Sequence, residues 1–292
     1  MWVQVPPLAL AHCMDKSIID KQPDGTIKLT ITIPKDDIEK AHRQVIEEYA
    51  KKATLSGFRP GKAPPSMVEE NIDKEKLQEE ILKKVLPQAY SKAIQSTNLK
   101  PIVNPKIHIE KIDPDKDWQF TALTCEAPVV DLGDYQQNIK SLTAKSKIII
   151  PGKPETEPKK PRSEDVMKTI IESAKATIPH ILIEQETDRL LSGLLDDIKK
   201  LGLNLDQYLS STNRTPESLR EEYAKRAEDD IKLELALHKI AETENITVEP
   251  QEIEEAIKKA ANETERARLE NNRYMLAAIL RQQKTLDFLL NL

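Results

Sequence analysis

Aromatic residues are scarce: Phe, Trp and Tyr together make up 4% of the 292 residues. So thin a supply argues against an aromatic-lined enzyme pocket and toward charged helices with aliphatic seams. Cysteine is scarcer still. Cys13 and Cys125 are the only two, far apart and outside any CxxC pattern, which excludes a disulfide framework or a metal knuckle and fits a reducing compartment. Histidines are scattered too; His42, His108, His180 and His238 fall singly on helical or strand patterns, where surface or structural roles are expected. Glycine numbers only seven, and none forms a phosphate-cradling loop, so neither a nucleotide nor a metal nor any other cofactor is expected. No run approaches the roughly 18 apolar residues that cross a bilayer. Nor is there a surplus of cations: 44 basic and 49 acidic residues are interspersed for a net charge of −5. That excludes the broad basic field of a general nucleic-acid binder and leaves only local contact with nucleic acid.

What is present is enough chain for two domains, patterned mostly for helices. The start, MWVQVPPLALAHC, is apolar and ends in Cys13 like a short lipoprotein signal. It lacks a positive n-region, Pro6 and Pro7 break its apolar run, and bulky His12 precedes the cysteine. Residues 1–14 therefore read as a disordered or non-native extension, with Met14 near the real start. Thr26 to Ile33, TIKLTITI, alternates strictly and reads as a half-buried strand. Ile38, Ala41, Val45 and Tyr49 then mark a helix entered near Asp36 and Asp37. Asp73 caps a second helical stretch carrying Leu77, Ile81, Val85, Tyr90 and Ile94, which Pro87 is expected to kink or interrupt. The period next changes to two. Ile107 and Ile109, a turn at Asp113-Pro114-Asp115, and Trp118, Phe120 and Ala122 read as a β-hairpin. Residues 15–135 are thus expected to form an α+β domain of strand, helix, loop, helix and hairpin.

From Thr143 to Ser163 prolines recur every three or four residues, and 136–163 reads as a proline-rich, semi-rigid connector. Residues 164–292 read as an all-α domain with helical arms, giving an elongated molecule. Pro179 opens one helix, closed by Gly202; Thr215-Pro216 caps a long one; Ile253, Ala256 and Ile257 mark a third, and Leu276, Ile279, Leu280, Leu286 and Leu289 the last. Pairs such as Leu190-Leu191, Leu194-Leu195 and Leu289-Leu290 widen the apolar stripe. Such width suits a core buried on two sides, or an inner surface left partly open to clients.

Between the first two helices lies the most distinctive stretch, LSGFRPGKAPP, Leu55 to Pro65. Gly57 and Gly61 permit unusual backbone angles, while Pro60, Pro64 and Pro65 fix φ, so the loop is stiff and shaped. It displays an apolar wedge, Phe58, beside two cations, Arg59 and Lys62. From Tyr49 to Val68 there are four cations, Lys51, Lys52, Arg59 and Lys62, and no carboxylate. An ordinary solvated turn needs neither so many restricting residues nor an exposed Phe.

Gly57-Phe58-Arg59-Pro60-Gly61-Lys62-Ala63-Pro64 resembles the GFRxGKxP signature of trigger factor, the bacterial chaperone family that docks beside the ribosomal exit tunnel. The resemblance extends to IPHILIEQETDRLL, DQYL, KLELALHKIAE, ITVEPQEIEEAI and LRQQKTLDFLL, which look like the family's C-terminal domain. Together these cover nearly all of residues 15 to 292. It implies an ATP-independent chaperone in the cytoplasm. Gly57, Phe58, Arg59, Pro60, Gly61, Lys62 and Pro64 would bind a large-subunit protein at the exit tunnel and nearby rRNA, and the helical domain would shield nascent polypeptides. No membrane partner is implied, and a homodimer off the ribosome stays open. The family normally inserts an FKBP-like peptidyl-prolyl isomerase domain of about 100 residues, for which the connector is too short. From Gln136 to Gln207 there is no Phe, Tyr or Trp to wall such a pocket. The expectation is a reduced form without catalytic residues. Two alternatives stand beside it: a prolyl isomerase by family membership, and an extracytoplasmic chaperone anchored at Cys13.

Overall fold

The computed structural model describes residues 18–52, 64–113, 116–146 and 161–292. The chain divides into two compact units, Met1–Ala127 and Pro128–Leu292. The first contains β1 (Ile18–Lys21), β2 (Thr26–Ile33), α1 (Lys35–Lys52), α2 (Pro65–Asn71), α3 (Lys74–Thr97), β3 (Lys106–Lys111) and β4 (Trp118–Cys125). Its antiparallel sheet has the order β1-β2-β4-β3. The alternation in β2 puts Ile27, Leu29, Ile31 and Ile33 on one face, all buried. Register aligns Leu29 with Ala122, Ile31 with Phe120 and Ile33 with Trp118, so the apolar residues of β4 share that face. Against them pack Ile38, Ala41 and Val45 of α1 and Leu77, Ile81 and Val85 of α3. The Trp118 Nε1–H, which would be costly to bury alone, donates to the Asp113 carbonyl at 3.1 Å. Strand β3 lies at one edge of the sheet, carries Lys106 and Lys111, and shifts register between Ile109 and Lys111.

Asp73 caps α3 as its position demands, its carboxylate accepting from the Glu75 N–H at 3.0 Å. Pro87 does not interrupt that helix, which runs unbroken from Lys74 to Thr97. The proline is exposed, so water can serve the carbonyl that loses its partner. The turn residues Pro114 and Asp115 lie outside the described residues.

The second unit contains β5 (Val130–Asp131), α4 (Tyr135–Ser146), α5 (Ser163–Ser173), β6 (Lys175–Ala176), α6 (His180–Lys200), α7 (Leu205–Thr212), α8 (Pro216–Thr243), α9 (Pro250–Lys258), α10 (Glu263–Asn271) and α11 (Arg273–Leu290). It is helical apart from the two-residue ladder β5-β6. The boundary therefore falls earlier than the expected end at 135, and the stretch after it is not all connector. Tyr135, Ile139 and Leu142 recur at helical spacing, and the first two are buried with Val166, Ile170, Ala236 and Ile240. Of the connector expected at 136–163, the part up to Ser146 is helix, and 147–160 lies outside the described residues. The Tyr135 hydroxyl donates to Glu244 Oε1 at 2.8 Å, tying α4 to the end of α8, and burial beside that carboxylate pushes the phenol pKa up.

Helix α8 begins with the Thr215 side chain accepting from the Ser218 N–H while Ser218 Oγ accepts from the Thr215 N–H. Helix α6 ends with Gly202 at φ +73, the Gly202 N–H donating to Lys199 and the Leu203 N–H to Ile198. This left-handed closure satisfies two carbonyls that the helix end leaves open.

The two glycines of this region should respond oppositely to alanine. A Cβ at Gly193, inside α6, or at Gly202 meets nothing within 4 Å, so only backbone preference decides. Gly193→Ala is expected to stabilise the chain and Gly202→Ala to destabilise it, each by about 0.5–1 kcal/mol in urea unfolding. Cys125 supplies a second test. Burial, and secondarily the Asp24 carboxylate, push its thiol from 9.0 up to about 11. Native Cys125 should react with iodoacetamide roughly a hundredfold more slowly than in urea at pH 8, as read by peptide mapping. Because the unfolded chain loses this proton first, the thiol's contribution is intact below pH 9 and stability falls as pH rises from 9 toward 11.

Candidate functional site

Two features stand out beyond packing: the roots of the glycine- and proline-rich loop, and an apolar groove in the helical unit. Of the expected docking residues, Gly57, Phe58, Arg59, Pro60, Gly61 and Lys62 lie outside the described residues. Pro64 is described, and stands at the N-cap of α2 with φ −58 and ψ 140. Pro65 follows at the first helical position, where a missing N–H costs nothing. The loop thus leaves from the end of α1 and re-enters a helix at two consecutive prolines. Its roots are joined. Ala50 of α1 and Val68 of α2 are both buried, with Tyr49 and Ile72 packed around them. His42 Nε2 lies 3.3 Å from Glu69 Oε1, linking the same two helices, and Lys84 of α3 pairs with Glu48 of α1 at 2.5 Å. Lys51, at the last turn of α1, is exposed.

The groove encloses about 700 Å³ between the second half of α8, residues 246–248 and α11. Local chemistry builds each wall. Helix α8 stops where Asn245 adopts φ +55, and the Ile246 N–H donates back to the Ala241 carbonyl at 2.8 Å. The chain then runs along α11, fixed by cations of that helix. Arg281 Nε donates to the Ile246 carbonyl at 2.9 Å and Lys284 Nζ to the Thr247 carbonyl at 2.8 Å. Lys284 also binds both oxygens of Glu252 at 2.9 Å. Glu252 in turn accepts from the Glu249 N–H at 2.8 Å, at the entry to α9. The Lys284 ammonium, then this N–H, hold the Glu252 carboxyl below its ordinary value.

Helix α11 turns Leu276, Thr285 and Leu289 inward. Its other apolar residues are left outside: Tyr274 is 91% exposed, Met275 65% and Ile279 52%, all lining the groove. Sequence periodicity groups Ile279 with the buried Leu276 and Leu289, and the structure places it outside with Tyr274 and Met275 instead. The signal was there in RYMLAAIL, where five large side chains crowd two turns and one stripe cannot bury them all. A second exposed set, Leu201, Leu203 and Leu205, marks the α6–α7 turn. Of the paired leucines, Leu289 is buried and Leu195 is 37% exposed. Wide stripes here therefore serve core in one place and surface in another. Among the described residues no helix is long and apolar enough to cross a membrane.

Comparison with known proteins agrees across both units. The family model described as bacterial trigger factor protein matches residues 14–149, and that for the bacterial trigger factor C-terminus matches residues 138–291. Trigger factors of Staphylococcus aureus strains JH9 and Newman are each 35% identical over 108 residues, which is 37% of this chain. The aligned stretch spans only 25% of the length of these relatives. A solved structure, reported for promiscuous substrate recognition in folding and assembly activities of the trigger factor chaperone, superposes with a TM-score of 0.62. At 14% identity, over 94% of this chain and 99% of that one, it shows a shared fold. The C-terminal family model alone accounts for more than half of the sequence, and with its N-terminal counterpart it shows that this chain belongs to the bacterial trigger factor family.

Proposed function

We propose that the chain is a cytoplasmic, ATP-independent chaperone that docks on the large ribosomal subunit through its GFRPGKAP loop and shields unfolded nascent polypeptides. The observation that carries this reading is the docking signature, complete at all six fixed positions, in a chain of the trigger factor family. Joined loop roots support it, because a loop whose two ends are held loses less entropy on binding. Phe58 would fill an apolar notch while Arg59 and Lys62 pair with a carboxylate or with rRNA phosphates. With so few cations engaged, the affinity is expected near micromolar, about 8 kcal/mol, which allows repeated release and rebinding.

The same reading has no prolyl isomerase. In support, the two family matches overlap at residues 138–149, so no interval between them could hold an inserted domain. Clients would be held through exposed apolar surface of the helical unit and released without nucleotide.

Replacing Phe58, Arg59 and Lys62 together by Ala should abolish co-sedimentation with ribosomes while far-UV circular dichroism stays unchanged. Retained co-sedimentation would remove the docking role of the loop. In a protease-coupled assay of a proline peptide at micromolar protein, no turnover above the uncatalysed rate is expected; clear turnover would restore the isomerase reading.

A further inference from the structure

We infer that the cleft between α1 and α3 in the first unit is a binding site for a small phosphate group, either inorganic phosphate or the terminal monoester of a small molecule. This goes beyond the chaperone reading and does not depend on it. Small residues on both helices make the cleft: Ala41 of α1, and Ala89 and Ala93 of α3. Ala41 and Ala93 are buried, so they form its base, and larger side chains there would fill the gap. About 150 Å³ is enclosed. That admits a tetrahedral oxyanion with a few waters at about 30 Å³ each, and falls below the roughly 300 Å³ at which pockets for larger ligands begin. No aromatic ring stands among the described lining residues for a base to stack on.

The polar groups around this space decide what it takes. Lys40 of α1 and Lys84 and Lys92 of α3 bring three ammonium groups to it, against Asp37 as the carboxylate among the described lining residues. Lys40 Nζ donates to Asp37 Oδ1 at 3.0 Å, whereas Lys92 Nζ stands 3.9 Å from Asp37 Oδ2, beyond hydrogen-bond range. Two cations thus converge on one carboxylate, and only one of them bonds it. Lys84 donates to Glu48. Three ammonium groups therefore meet two carboxylates, which leaves one positive charge over and the Lys92 donors uncommitted. Gln44 of α1 and Gln88 of α3 line the same space, and neither carboxamide is hydrogen-bonded among the described residues. Solvated lysines on a convex face repel and spread apart; these are gathered over a concavity, where their field is focused.

The donor set selects phosphate over carboxylate. A planar carboxylate is best met by the fork of an arginine, and no arginine is among the described lining residues. Lysines act as point charges that approach a tetrahedral anion from several sides, and the carboxamides can donate to its remaining oxygens. A monoester presents three such oxygens and close to two charges, whereas a diester in a nucleic-acid strand presents fewer of both. Bound there, the anion would bridge α1 to α3 and take over the role that Asp37 now fills alone.

The test is a ¹H–¹⁵N NMR titration of the full chain, with chloride replaced by inorganic phosphate at constant ionic strength. Saturable shifts are expected in the α1 and α3 amides around the cleft, with a Kd of about 1 mM. Ribose 5-phosphate should bind comparably, and an oligoribonucleotide without a terminal phosphate should not. Lys92→Gln should weaken phosphate binding at least about fivefold. Asp37→Asn removes the competing acceptor and should tighten it at least about threefold, a gain that a purely structural role of Asp37 would not produce. Lys92 is exposed, so its variant decides even if the change at position 37 disturbs α1. Shifts that fail to saturate by about 20 mM phosphate, or an unaltered Kd in Lys92→Gln, would overturn the site. Tighter binding of the oligoribonucleotide than of inorganic phosphate would overturn the choice of a monoester. Neither result would touch the chaperone reading, which ribosome co-sedimentation tests separately.

Discussion

The helical unit depends on α8 being buried along its length against different neighbours. Its first half, with Leu219, Ala227 and Ile231, lies along α6; its second half, with Ala236, Leu237, Ile240 and Ala241, meets α5 and α11. Alanine recurs at these contacts, and a small side chain lets two helix axes come close. Because one rigid helix serves both packings, the α6–α8 hairpin is held by a core it does not itself contain. The same arrangement leaves Tyr274, Met275 and Ile279 exposed on the outer side of α11. The groove is a by-product of how the core is distributed, held by the cations that fasten the carbonyls of Ile246 and Thr247.

The α+β unit solves a different problem. Its sheet is covered by helices on the face of Leu29 and Phe120, and the buried side chains there are aliphatic apart from Trp118 and Phe120. The chain leaves α1 and returns at α2, where Ala50 and Val68 form a small cluster, with Tyr49 and Ile72 packed both on it and on the core beneath the sheet.

Much of this was legible because long elements announce themselves. The alternation of β2, the caps at Asp73 and Thr215, and the glycine stop at Gly202 each state a local rule, and packing obeyed it. Short elements were not legible. β1 has four residues, α2 has seven beginning inside a proline-rich stretch, and β5 and β6 have two each, too few for any period to emerge. Helix α10 has no buried residue at all, so no apolar pattern marks it. Helix α4 was hidden by the prolines that follow it, although Tyr135, Ile139 and Leu142 carry its stripe. The family and the loop could be read from a contiguous motif. The groove could not, because its walls come from segments some forty residues apart that only the fold brings together.

Edge strand β3 carries a consequence of another kind. It displays Lys106, Lys111 and a register shift along one of the sheet's two edges, where an extended stretch of another chain could hydrogen-bond. Under the chaperone reading proposed above, the chain would work among unfolded polypeptides, surrounded by candidate strands at high local concentration. Its own sheet is the template on which they could stack. The register shift and the two ammonium groups oppose stacking on this edge, so that under that reading β3 would not become the seed of an aggregate.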